Sequence, residues 1–175
     1  MKTAIFIIIL LFAVNLTFAQ KSKVAGYKIR AAKHAVTVTF QGRARWLDVR
    51  KQIDAARITD TELMFANEKD GFRYLVIDIT GDSRDSDFDR QCGAGTESNL
   101  IWLKLDAAWK ILDVKSVRYQ SCWSGTDLNE PFTLTQNSLK IDFADSRENM
   151  SVKLTYNADE PEKGFQTVGE SIKIQ

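Results

Sequence analysis

The chain has 175 residues, 44% of them hydrophobic and 27% charged, an ordinary globular balance and enough length to bury a real core. Its formal net charge is +1, which argues against nucleic acid as a partner and against charge-driven adhesion to anionic membranes. One histidine and two cysteines leave a zinc site almost without ligands.

Residues 1–19 read as a cleaved secretory signal. Lys2 gives a basic start, residues 4–14 form an unbroken apolar run, and Thr17-Phe18-Ala19 is a small-x-small exit. Spanning a bilayer takes about 20 apolar residues, more than this run offers before Asn15 interrupts it. Removal after Ala19 leaves residues 20–175 as one exported β-rich domain, periplasmic or secreted, with no membrane insertion once the signal is gone.

Beyond the signal, the dominant pattern is alternation of period two, the mark of half-buried strands. Val36, Val38 and Phe40 alternate with threonines, and Leu139, Ile141 and Phe143 alternate with Lys140 and Asp142. Val152, Leu154 and Tyr156 follow the same rule, as do Ile172 and Ile174. Tyr74-Leu75-Val76-Ile77 and Leu100-Ile101-Trp102-Leu103 are apolar throughout, so they predict central strands covered on both faces. Residues 48–57 are the one helix candidate, with Val49, Ile53 and Ala56 on a common helical face.

Turn chemistry separates these runs. Asp70-Gly71 between two strands is a strong hairpin signal, and Asp106-Ala107-Ala108, Gln136-Asn137 and residues 145–149 punctuate the rest. Hairpin after hairpin predicts an all-β fold. It is expected to be an antiparallel meander of about 8–10 strands forming a sandwich or a barrel, with at most one short helix.

Cys92 and Cys122 are most simply one disulfide in an oxidising compartment, closing a loop of about 30 residues. The connection at residues 81–99 is long for a compact domain, and the disulfide pins its second half. Within it, Asp85, Asp87 and Asp89 begin an EF-hand-like calcium pattern. The pattern then fails, because Arg90 stands where glycine is needed and Thr96 where glutamate is needed. Arg84 and Arg90 can neutralise the same carboxylates, so a solvated acidic loop is the favoured reading and no metal or other cofactor is expected. Gly93-Ala94-Gly95 reads as a turn or bulge rather than an anion site.

No catalytic motif emerges. His34 stands alone before a strand, no G-x-S-x-G occurs, and no carboxylate pair is singled out by position. Trp102 reads as buried, and Trp123 beside Cys122 reads as packed or as a contact residue. Asn149-Met150-Ser151 is a glycosylation acceptor only in a eukaryotic secretory pathway, and the sparse cysteines favour a bacterial periplasm or exterior.

The mature length and the meander are similar to those of lipocalin-like barrels. However, Gly42-Arg43-Ala44-Arg45-Trp46 lacks the Gly-x-Trp spacing that marks that family. Small periplasmic lysozyme inhibitors are likewise disulfide-bearing β domains, a likeness of fold that does not transfer function. The leading expectation is a non-catalytic exported binding domain that meets a protein or glycan. It would use the pinned loop, through Asp85, Asp87, Asp89, Arg84 and Arg90, together with Arg118 and Trp123. The alternatives are a carrier holding a small ligand inside a barrel and a carboxylate-dependent hydrolase.

Overall fold

The structure is a computed structural model that describes residues 24, 26–84, 92, 95–146 and 148–171. The expected signal, Asp85, Asp87, Asp89, Arg90, Gly93, Ala94, Ile172 and Ile174 lie outside the described residues.

The fold is all-β and antiparallel, built as two sheets of three and nine strands. The smaller sheet joins β1 (Tyr27–Ala32), β2 (Ala35–Phe40) and β3 (Arg43–Asp48) in sequence order. The larger sheet starts with four long strands: β4 (Arg57–Lys69), β5 (Phe72–Asp82), β6 (Thr96–Leu105) and β7 (Ile111–Ser121). It continues through β8 (Thr126–Leu128), β9 (Thr133–Leu134), β10 (Ser138–Asp145), β11 (Met150–Asn157) and β12 (Gln166–Ser171). Its path runs β12-β11-β10-β8-β7-β6-β5-β4, with β9 pairing β10.

The Asp70-Gly71 hairpin forms as the dipeptide demands. Both residues take positive φ, 52° and 78°, and Lys69 pairs with Phe72 across the turn. Gln41-Gly42 makes the same left-handed turn between β2 and β3.

Alternation then divides the apolar residues of the central strands between two cores. Leu75, Ile77, Ile79, Ile101, Leu103 and Leu105 pack with Val36, Val38 and Leu47 of the smaller sheet. Tyr74, Val76, Leu100 and Trp102 point the other way, against Leu139, Ile141 and Phe143 of β10 and Leu154 and Tyr156 of β11. The second half of the larger sheet therefore lies over the face of β4–β7 opposite the small sheet. It turns at the β7/β8 corner, where only Ser121 and Thr126 pair. This explains why β5 and β6 read as apolar on both sides: each is the middle of three layers. The Trp102 indole, almost fully buried, donates to the Pro161 carbonyl at 2.9 Å in a short 3-10 turn (Pro161–Lys163).

Of the two expected architectures the chain forms the sandwich; the larger sheet is not closed into a barrel. Two expectations need correction. The helix at residues 48–57 does not form. Residue 48 ends β3, β4 begins at Arg57, and the stretch between them is an irregular crossing in which Val49, Ile53 and Ala55 are buried. The Asp48 carboxylate accepts from the Arg50 backbone N–H at 3.1 Å, the local side-chain bond that competes with helix. The long connection is also shorter than 81–99. The β5–β6 ladder continues through Gly81–Glu97 and Asp82–Thr96, leaving residues 83–95 as the loop.

Candidate functional site

The central layer changes character at one end. From Asp78 onward in β5, and up to Asn99 in β6, polar residues enter both faces, with Ile79 the one large apolar side chain left in that stretch. Among the described residues, every buried Ser, Thr, Asn or charged side chain belongs to this end: Ser83, Glu97, Ser98, Asn99, Ser121 and Thr126. Burying polar groups is costly without partners, so their concentration marks the end where packing alone does not explain the sequence.

The disulfide closes this end. Cys92 and Cys122 are bonded with their Cα atoms 5.7 Å apart, and Cys92 is buried. Beside it, Gly95 N–H donates to the Cys92 carbonyl at 2.9 Å and Ser83 N–H donates to the Gly95 carbonyl at 3.0 Å. Gly95 has to be small here. A Cβ at that position would lie 2.6 Å from Cys122 Cβ and 2.9 Å from its Sγ.

Beneath the bridge sits Glu97, fully buried. Its Oε1 accepts from the Ser83 hydroxyl at 2.8 Å. Among the described residues its Oε2 has no hydrogen-bond partner, and Arg118 Nε stands 4.0 Å away. Asn99, on the same face of β6, donates to the Gln52 carbonyl at 2.7 Å and to Ser116 Oγ at 3.1 Å, tying the irregular crossing to the sheet.

The opposite face carries a second network. Tyr119 is the extra residue of a β-bulge between β6 and β7, where Ser98 pairs Gln120 and Asn99 pairs Arg118. Its hydroxyl donates to Asp78 Oδ1 at 2.8 Å. Thr80 and Ser98 share a hydroxyl contact of 3.0 Å beside it. Burial pushes the Asp78 carboxyl up to about 6; the Tyr119 hydrogen bond opposes that shift, while Glu62 directly across the strand pair and Asp60 add to it. Burial, and then the Asp78 charge, also raise the Tyr119 hydroxyl.

Next to the disulfide, a shallow cleft of about 460 Å³ is lined by Thr96, Gln120, Cys122, Gly125, Asp127 and Ser146, among others. Its far wall is fixed by Ser121, whose Oγ accepts from Ser124 N–H at 3.0 Å, and by Ser124 and Thr126, whose hydroxyls meet at 2.6 Å.

Of the expected site residues, the structure brings Cys92, Cys122, Arg118 and Trp123 to one end, with Arg118 and Trp123 half-buried. Arg84 is exposed on the loop side and pairs Asp54 at 3.2 Å. It lines a separate pocket of about 230 Å³ with His34, Arg50 and Ile53. Glu97, Asp78 and Tyr119 were not singled out in the sequence. Glu97, a carboxylate leading into an apolar strand, and Asp78, a carboxylate between Ile77 and Ile79, each carried a local signal.

Among the described residues, no group of three or more His, Cys, Asp or Glu side chains is placed to hold a metal ion, and no helix is long and apolar enough to cross a membrane. The disulfide is compatible with an oxidising, exported environment. No protein-family model matches the chain, and no curated protein or solved structure is significantly similar to it.

Proposed function

We propose that the protein is an exported, non-catalytic binding domain whose recognition surface is the disulfide-closed end of the sandwich, contacting a protein or a glycan. The observation that carries this reading is the gathering of all the buried polar side chains named above under one disulfide and beside one cleft. A polar-floored end cross-linked by a disulfide has less freedom to lose on binding, which is what preorganised recognition needs. Thr96, Gln120 and Asp127 supply donors and acceptors at that rim, and Arg118 and Trp123 flank it. An open sandwich offers no barrel interior, so a carrier would have to use a surface cleft.

The test is binding of the mature, oxidised protein to protein and polysaccharide arrays, repeated with Thr96→Arg and Gln120→Arg. Loss of the retained ligand with an unchanged circular dichroism spectrum supports the reading. Undiminished binding by both variants overturns it.

A specific observation favours a second reading, a carboxylate-dependent hydrolase. Asp78 is a half-buried carboxyl that burial pushes up to about 6, with a tyrosine donor and a second carboxylate, Glu62, across from it. Hydrolysis of an array ligand that Asp78→Asn abolishes would establish it in place of the first.

A further inference from the structure

The three-stranded sheet holds a charge that the overall composition conceals. Between Tyr27 and Asp48 stand five cations, Lys28, Arg30, Lys33, Arg43 and Arg45, against the single carboxylate of Asp48, in a chain whose total is +1. Asp48 is itself taken by Arg50 through a bidentate pair. Among the described residues, none of the five cations enters an ion pair. A net charge near zero therefore averages a basic sheet with an acidic remainder.

The same sheet carries the most exposed large apolar side chain among the described residues, Trp46 at 62%. Its neighbours follow from register. Val36, Val38 and Leu47 face the core, so Trp46, Thr37 and Arg30 share the outer face, aligned in one cross-strand row by the pairs Arg30–Thr37 and Thr37–Trp46. Lys28, Thr39 and Ala44 form the parallel row two residues along. A flat aromatic ring, two hydroxyls and two exposed cations thus lie on one surface, with Ala44 leaving the ring unobstructed on that side.

We propose that this face binds an anionic polysaccharide, with a sugar ring stacked on Trp46 and its acidic groups on Lys28 and Arg30. Charge complementarity selects the partner's sign, and the neighbours of Trp46 select its kind. A bilayer would need a second large apolar side chain to insert, and single-stranded nucleic acid would need successive aromatic platforms; this face has one ring set among hydroxyls. Threonine hydroxyls beside an amphipathic ring suit the alternating C–H and O–H surface of a sugar. This surface is separate from the disulfide end, and either proposal can fail without the other.

The experiment measures the mature, oxidised protein on immobilised heparin, hyaluronate and neutral dextran, and separately on phosphatidylglycerol vesicles and a single-stranded oligonucleotide. The expected result is binding to the acidic polysaccharides and not to dextran, weakening as salt rises. The double substitution Lys28→Ala/Arg30→Ala is expected to weaken it at least tenfold and to flatten the salt dependence. Trp46→Ala is expected to weaken it about tenfold with the salt dependence kept, and Trp46→Phe to restore most of the loss. The proposal is overturned by absent binding, by equal loss in a Thr96→Arg control, or by tighter binding to vesicles or oligonucleotide that depends on the same residues.

Discussion

The Tyr119 hydroxyl donates to Asp78 Oδ1 at 2.8 Å, joining two residues 41 positions apart in the chain. The contact exists because Val117 pairs with Leu100 and Leu100 with Asp78, so alternation sets Tyr119, two residues beyond Val117, on the face that β5 presents with its even-numbered residues. It leaves Asp78 a partly satisfied carboxyl beneath the outer half of the sandwich.

One consequence concerns pH. The folded-state value of about 6 lies above the ordinary 3.8, so between these values the native state binds more protons than the unfolded chain. The stabilisation from Asp78 is complete below about pH 3.8 and is lost as pH rises through about 6. Its size is at most about 3 kcal/mol. Asp48, held at about 2 by Arg50, acts in the opposite sense but at lower pH. Denaturant melts of Asp78→Asn at intervals from pH 4 to 7 should show a flatter profile than the native chain; an unchanged slope assigns the dependence elsewhere.

Loss of the disulfide should be costly. Cys92 and Cys122 are separated by 30 residues, and the chain-entropy model assigns such a loop about 3–4 kcal/mol. Cys92→Ser/Cys122→Ser should lower the unfolding free energy by about that amount while leaving the far-ultraviolet spectrum of the sandwich intact. A loss below about 1 kcal/mol would mean that Ser83, Glu97 and the backbone bonds of Gly95 hold this end without the bridge.

Gly95→Ala tests the tightness of the same end. Its new Cβ would meet both Cβ and Sγ of Cys122, so the loop or the bridge must shift. Overpacking of this kind costs about 1–3 kcal/mol. The loss should shrink when both cysteines are replaced by serine, a coupling that a double-mutant cycle reads directly.

Trp102→Phe separates packing from hydrogen bonding in the outer core. The ring is buried, and its N–H is the donor to the Pro161 carbonyl. Removing that donor and some ring volume should cost about 2–4 kcal/mol. Amide exchange should quicken first at the 3-10 turn, Pro161–Lys163, and at β12; uniform change across all strands would count against a local anchor.

Much of the architecture was legible because strand signals are local. The alternation of Val36, Val38 and Phe40, the Asp70-Gly71 turn and the two wholly apolar runs each predicted their elements from a handful of neighbouring residues. Which sheet each strand joins was not legible, since Leu75 and Val76 look alike in sequence and serve different cores. Residues 48–57 misled for a related reason. Buried apolar residues in an irregular crossing can fall at helical spacing by chance, and Asp48 bonding back to Arg50 is visible only in the fold. At the disulfide end, the cysteine pair was plain, but the Asp78–Tyr119 contact depends on a pairing register across three strands that no short pattern announces. The cations of β1–β3 were all in view, and only their summation with the rest of the chain hid them.

The three-layer arrangement has a further consequence for how the chain finds its alignment. In most half-buried strands, sliding by one residue drives polar groups inward, and that penalty enforces the correct pairing. Residues 74–77 and 100–103 escape the penalty, because either face of these segments is greasy enough for either core. Their alignment must be imposed from the two ends: by the tight Asp70-Gly71 reversal on one side, and on the other by Asp78, Ser98 and Asn99, which have partners in only one setting. The polar end thus serves as the ruler against which the middle of the protein is measured.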